Sequence, residues 1–278
     1  MLHQYTSRGA RLNYFEAGAG HPVIFLHPTP LSHAYWLPVI AELPHQHSIA
    51  LDLRGHGGSE LEGTQPGERL PVGEFAAGVA DLTLGQMAED VLALLDHLKI
   101  EQAAFVGCSI GGYLLLELWR RAPRRMNGLA FVCSKPQGDT LVAGEKRKET
   151  IARVVTEGVE CVLDGLVKGL TGTTSQQREP GLYGRLRAMA TLTAKAEMAV
   201  QAGLGLRPDS IDTVATINRP VLAIAGAEDG VCTAAEMEAF KSAPGGCEFH
   251  LLAETGHFAA CEQPKAVAKL LGDWLGTL

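Results

Sequence analysis

Gly107-Cys108-Ser109-Ile110-Gly111-Gly112 decides how this chain reads, because of what flanks it. Before it, Ala103-Ala104-Phe105-Val106 is a short apolar run of the kind that forms a buried strand. After it, Tyr113-Leu114-Leu115-Leu116-Glu117-Leu118-Trp119-Arg120 is rich in helix formers and stops ahead of Pro123. Strand, G-x-S-x-G, helix is the layout of a nucleophile elbow, a sharp turn that presents a serine at the edge of an α/β sheet. Gly107 and Gly111 have no Cβ, so strand and helix can close in around a strained serine backbone. The helix N-terminus just past Ser109 offers unpaired N–H groups and a positive dipole end to a developing oxyanion.

Apolar runs of strand length recur along the chain. Val23 to Leu26, Ser48 to Leu51, Leu129 to Val132 and Val221 to Ala225 read as further buried parallel strands. Phe249 to Leu252 reads as a later one, and Leu12 to Phe15 as an antiparallel lead-in. Thr83 to Leu98 reads as a helix: Thr83 and Gln86 have capping-box spacing, and Met87, Val91, Leu94, Leu95 and Leu98 share a face. Pro264 to Leu275 reads as a closing helix with Pro264 in its first turn. The strand rhythm breaks between Pro136 and Asn218, where helical pieces such as Glu145 to Glu157 and Ala188 to Gln201 predict a helical cap. The expected organisation is a core domain of residues 1–135 and 219–278 with a cap at 136–218. A Gly/Pro-rich stretch at 60–78 reads as a mobile surface loop in preference to a substrate-contacting flap.

An activated serine needs a base, and the base needs an orienting carboxylate. Ala225-Gly226-Ala227-Glu228-Asp229-Gly230 puts two carboxylates at a strand end; Asp229 is the candidate acid and Glu228 the alternative. Glu254-Thr255-Gly256-His257-Phe258 follows the last strand, and His257 is the candidate base. Ile110 N–H is one candidate oxyanion donor. The other comes from His27-Pro28-Thr29-Pro30, where the prolines carry no N–H and Thr29 is left as the main-chain donor between His27 and Leu31. His27, Trp36 and Phe258 are candidates for the substrate pocket, although Tyr35 and Trp36 could equally pack the sheet edge.

With these segments in place the chain resembles the α/β-hydrolase fold proteins over nearly its whole length, in the group that includes 3-oxoadipate enol-lactonases and related small-molecule esterases. Leu26 to Trp36 looks like the oxyanion loop, Asp52-Leu53-Arg54-Gly55-His56-Gly57-Gly58-Ser59 like the D-x-R-G-x-G-x-S turn, and Arg207-Pro208-Asp209-Ser210 like a cap exit. The resemblance implies a mostly parallel eight-stranded sheet flanked by helices, with an inserted cap. It also implies a serine hydrolase of small esters, lactones or related carbonyl compounds, working through Ser109, His257 and Asp229 with no cofactor and no metal. Three departures stand out. Pro28 replaces the usual glycine after the oxyanion-loop histidine, which stiffens the loop. The proline common after the acid is missing, and the linker from Ser59 to the next helix is long.

The same triad serves carbon–carbon bond hydrolases and cofactor-free haloperoxidases or perhydrolases, and Pro30 beside the oxyanion donor resembles the latter. A ligand receptor with vestigial turnover is the alternative of another class. Ser109 at the nucleophile position argues against dehalogenase and epoxide hydrolase chemistry. Cys108 reads as a core thiol, with a nucleophilic role as the alternative. Asp52, Arg54 and His56 read as structural, and His45-x-His47 as surface residues.

Composition sets outer bounds. A chain of 278 residues, 46% hydrophobic, can bury roughly three quarters of its unfolded surface. The net charge of −7, with no basic tract among aromatics, argues against nucleic acid as a partner. No apolar run approaches the ~18 residues of a spanning helix, and the N-terminus lacks a secretion-signal layout. Six scattered cysteines suit reduced thiols in a cytoplasm. The expected partner is a small-molecule substrate, without membrane; a homo-oligomer is compatible with the sequence.

Overall fold

The computed structural model describes residues 1–61 and 82–278. Most of the 60–78 stretch falls outside the described residues. Eight strands form one sheet: β1 Leu2–Ser7, β2 Ala10–Ala17, β3 His21–Leu26, β4 Gln46–Leu51, β5 Ala103–Cys108, β6 Met126–Val132, β7 Val221–Gly226 and β8 Cys247–Leu252. Their spatial order is β1-β2-β4-β3-β5-β6-β7-β8. The β1–β2 and β2–β4 pairs are antiparallel, and every later pair is parallel.

The central strands are apolar on both sides because both faces of the sheet are covered. Phe105, Leu129, Phe131, Ala223 and Ala225 join one apolar cluster, while Ala104, Val106, Ala130, Leu222 and Ile224 join another. Successive residues thus feed opposite faces, as the pleat requires. The lead-in strand β2 exists, but the sequence reading missed its partner β1. That edge strand buries only Tyr5 and Ser7 and carries no continuous apolar run.

Twelve α-helical segments occur among the described residues: α1 Leu37–Ile40, α2 Leu84–His97, α3 Ile110–Arg121, α4 Leu141–Glu157, α5 Val159–Leu170, α6 Thr173–Arg178, α7 Leu182–Met189, α8 Ala194–Gly205, α9 Ile211–Val214, α10 Ala234–Met237, α11 Ala259–Glu262 and α12 Pro264–Leu275. Helix α2 starts at the expected capping box: Gln86 N–H donates to Thr83 Oγ1 and Thr83 N–H to Gln86 Oε1. Between β6 and β7 the described chain is helical, from α4 through α9. The helix expected over 188–201 is instead two, because Thr193 caps a new start by accepting the amide of Ala196. No helix among the described residues is long and apolar enough to cross a membrane.

Candidate active site

Ser109 joins β5 to α3 with φ 52° and ψ −118°, a region that non-glycine residues rarely occupy. Its surroundings hold it there. The Ser109 amide donates to the carbonyls of Val132 and Cys133. The Ser109 carbonyl accepts the amides of Gly112 and Tyr113 and the Ser134 hydroxyl, at 2.8, 3.0 and 2.9 Å. A Cβ on Gly107 would lie 2.5 Å from the Gly111 carbonyl, and one on Gly111 would lie 2.2 Å from the Leu26 carbonyl oxygen. The glycines of the motif therefore allow α3 to seat against β5 and β3.

The amides of Ile110 and Thr29 have no hydrogen-bond partner among the described residues. Behind Thr29 stand two buried histidines. His56 Nδ1 donates to the Arg54 carbonyl, so its Nε2 accepts the Thr29 hydroxyl at 3.1 Å. His27 Nε2 accepts the Leu53 amide at 3.0 Å, which leaves the proton on Nδ1, beside the Pro28 carbonyl. Burial pushes His27 down to about 4 and, together with the neighbouring His27 ring, His56 down to about 3. Both rings are neutral near pH 7 and act as fixed spacers under the loop. Asp52 holds the adjoining turn by accepting the amides of His33 and Gly58, and Arg54 pairs with the buried Asp90.

At the end of β7, Asp229 Oδ2 accepts from His257 Nδ1 at 2.7 Å. Asp229 Oδ1 accepts the amides of Val231 and Cys232 at 2.8 and 3.0 Å. Burial alone would raise this carboxyl; the imidazole and the two amides outweigh it and hold the group below the usual range. Glu228, the alternative acid, faces away and accepts from the amide and hydroxyl of Thr174.

Ser109, His257 and Thr29 face one cavity of about 250 Å3. No hydrogen bond among the described residues links Ser109 Oγ to His257 Nε2; such contacts tighten as substrate fills a site. Leu166, Leu170, Leu204 and Val231 give the cavity an apolar side, and Lys146, Arg147, Thr150 and Gln201 a polar one. Most of these residues come from the helical insertion. The sequence reading missed them because the direction of a helix face is set by packing. It also missed Glu262, whose buried carboxylate accepts the amides of Gly256 and Phe258 on either side of His257, at 2.7 and 3.0 Å. A lone acid after Ala259-Ala260-Cys261, in an otherwise apolar stretch, was the available signal.

None of the three residues expected around the pocket lines it. His27 is fully buried and serves the Leu53 amide. Trp36 is fully buried, packed between Phe25 and Tyr35 with ring centroids 5.4 and 4.8 Å away. Phe258 is fully buried beside Tyr35. Trp36 and Phe258 join the apolar cluster that holds Phe25 and Tyr35, where burial of a large ring stabilises most. Tyr35 packs there too, donating to Cys108 Sγ. Burial pushes the Cys108 thiol well up, which keeps it protonated and leaves it a poor nucleophile.

Ligand atoms of Asp229, Cys232 and His257 lie within 4.8 Å of one another. Each is already committed: the first and third to each other, and Cys232 Sγ to the Tyr113 hydroxyl. Burial pushes the Cys232 thiol up to about 12, away from the thiolate that a metal requires. His47 pairs with Glu16 at the surface.

Comparison with known proteins agrees with this fold. The family model for the alpha/beta hydrolase fold matches residues 21–264. The chain is similar to 3-oxoadipate enol-lactonase 1 of Acinetobacter baylyi, 23% identical with 92% of this chain and 89% of the relative covered. It is also similar to the dihydrolipoyllysine-residue acetyltransferase component of the acetoin cleaving system of Pseudomonas putida, 27% identical over 93% of this chain. It spans only 65% of that relative's length. A thermophilic esterase from Thermogutta terrifontis superposes with a TM-score of 0.86, at 26% identity, covering 99% of this chain and 96% of the esterase. The chain belongs to the alpha/beta hydrolase fold family.

Proposed function

We propose that this protein is a serine hydrolase that cleaves a small ester or lactone through an acyl-enzyme. The observation that carries the reading is the buried 2.7 Å contact between His257 Nδ1 and Asp229, on a ring that shares its cavity with Ser109. With its Nδ1 proton held by the carboxylate, the neutral imidazole keeps a lone pair on Nε2. That lone pair takes the Ser109 proton as Oγ attacks the substrate carbonyl. The oxyanion that forms is met by the free amides of Ile110 and Thr29, each such donor being worth about 3 kcal/mol to the transition state. The imidazolium then protonates the leaving oxygen. A water activated by the same Nε2 releases the acid and restores Ser109.

A cavity of about 250 Å3 at Ser109 suits a small molecule. The similarity to an esterase and an enol-lactonase supports ester or lactone chemistry. The test is a fluorophosphonate probe with peptide mapping. Wild-type protein should be labelled on Ser109, and Ser109→Ala should lose both label and hydrolysis of short p-nitrophenyl esters. Undiminished labelling of Ser109→Ala would overturn the reading.

A further inference from the structure

We infer that Glu262 is a positioning residue for the base and that it makes the placement of His257 depend on the helical insertion; this rests on the function proposed above. Its carboxylate, 6% exposed as a residue, takes three amides and no ion pair among the described residues. Oε1 accepts Phe258 N–H, and Oε2 accepts Gly256 N–H, so the main chain on both sides of His257 hangs from one rigid group. Oε2 also accepts the amide of Gly172, in the turn between α5 and α6, at 3.2 Å.

That turn is fastened to the same loop again. The His257 amide donates to the Leu170 carbonyl at 2.9 Å, and the Ser175 hydroxyl donates to the Glu254 carbonyl at 3.1 Å. The approach leaves no room for side chains. A Cβ on Gly172 would fall 2.6 Å from Glu262 Oε2 and from Gly256 N, and one on Gly256 would fall 2.2 Å from Gly172 N. Leu170 also lines the cavity. The insertion thus touches the substrate space and the base backbone through one residue, and Glu262 locks the two together. When the insertion is seated, His257 is aimed; when it shifts, the amide partners that fix the loop are lost.

Glu262→Gln places an N–H2 where an oxygen accepted, so at least one of the three amides loses its partner. Gly172→Ala keeps the carboxylate but wedges the insertion away. Both variants should retain full fluorophosphonate labelling amplitude at a temperature where they are folded. Their second-order labelling rate should fall by roughly ten- to a hundredfold, the scale of an ångström-size misplacement. A merely structural role would lower the melting temperature or the labelled fraction and leave the rate per molecule unchanged. Thr174→Val, which removes an insertion contact to Glu228 instead, should keep the wild-type rate. If Glu262→Gln does not fold, Gly172→Ala decides. Wild-type labelling rates in Gly172→Ala, or an equal loss in Thr174→Val, would overturn the inference. Wild-type protein that takes no label on Ser109 would instead overturn the proposed hydrolase and this inference with it.

Discussion

Asp229 and His257, 28 positions apart in the chain, meet as a buried carboxylate–imidazole pair whose other carboxylate oxygen is already filled by two main-chain amides. The carboxylate therefore cannot rotate away, and the imidazole has one tautomer available. Asp229→Asn would keep the shape but present an amide where an acceptor is needed. We expect turnover on p-nitrophenyl esters to fall by about four orders of magnitude, with the fold intact by circular dichroism. Retention of even a tenth of the activity would remove Asp229 from the machinery.

The buried histidines predict acid sensitivity. His27 and His56 titrate at about 4 and about 3 in the folded protein, against an ordinary 6.5 in the unfolded chain. Between those values the unfolded chain binds more protons, so stability rises with pH through this window and levels off above about 6.5. Asp229, held low, adds a loss that sets in below the ordinary carboxylate range. Urea midpoints should drop from pH 7 to pH 5, and His56→Gln should shrink that drop while lowering the midpoint at pH 7.

Arg54 and Asp90 form an ion pair in which both side chains are almost wholly buried. Asp90→Ala would leave a guanidinium in the core without its carboxylate. The expected cost is about 3–5 kcal/mol, read by denaturant unfolding. A smaller cost than about 1 kcal/mol would mean that water reaches the site.

Gly111→Ala tests the elbow itself. The added methyl would meet the Leu26 carbonyl carbon and oxygen at 2.8 and 2.2 Å, and main chain cannot step aside as a side-chain tip can. Overpacking of this kind costs about 1–3 kcal/mol. It should also slow fluorophosphonate labelling by shifting α3 and its free N-terminal amide.

What could be read in the sequence divides along physical lines. The central strands were legible because burial on both faces leaves unbroken apolar runs such as Val221 to Ala225. Ser109 and His257 could be singled out as candidates because they sit on turns whose glycines serve backbone geometry, and the structure brings both to one cavity. β1 was not, since an edge strand owes its structure to β2 and not to its own composition. Phe258 was misplaced, and Trp36 stayed open between pocket and packing, because closeness to a loop in sequence does not say which side of that loop a ring will occupy. Glu262 escaped because its partners are peptide groups, which leave no mark on residue identity.

The helical insertion leaves and re-enters the sheet at adjacent strands, β6 and β7, while supplying most of the walls around Ser109. Such an arrangement lends itself to transplantation: a foreign helical segment could be spliced in to change the walls of the cavity, with Ser109, Asp229 and His257 left in the host framework. The turn at Leu170 to Ser175 limits that freedom. A donor segment lacking a glycine at the place of Gly172 could not dock, so chimeras should retain this turn from the host and vary only what lies around it.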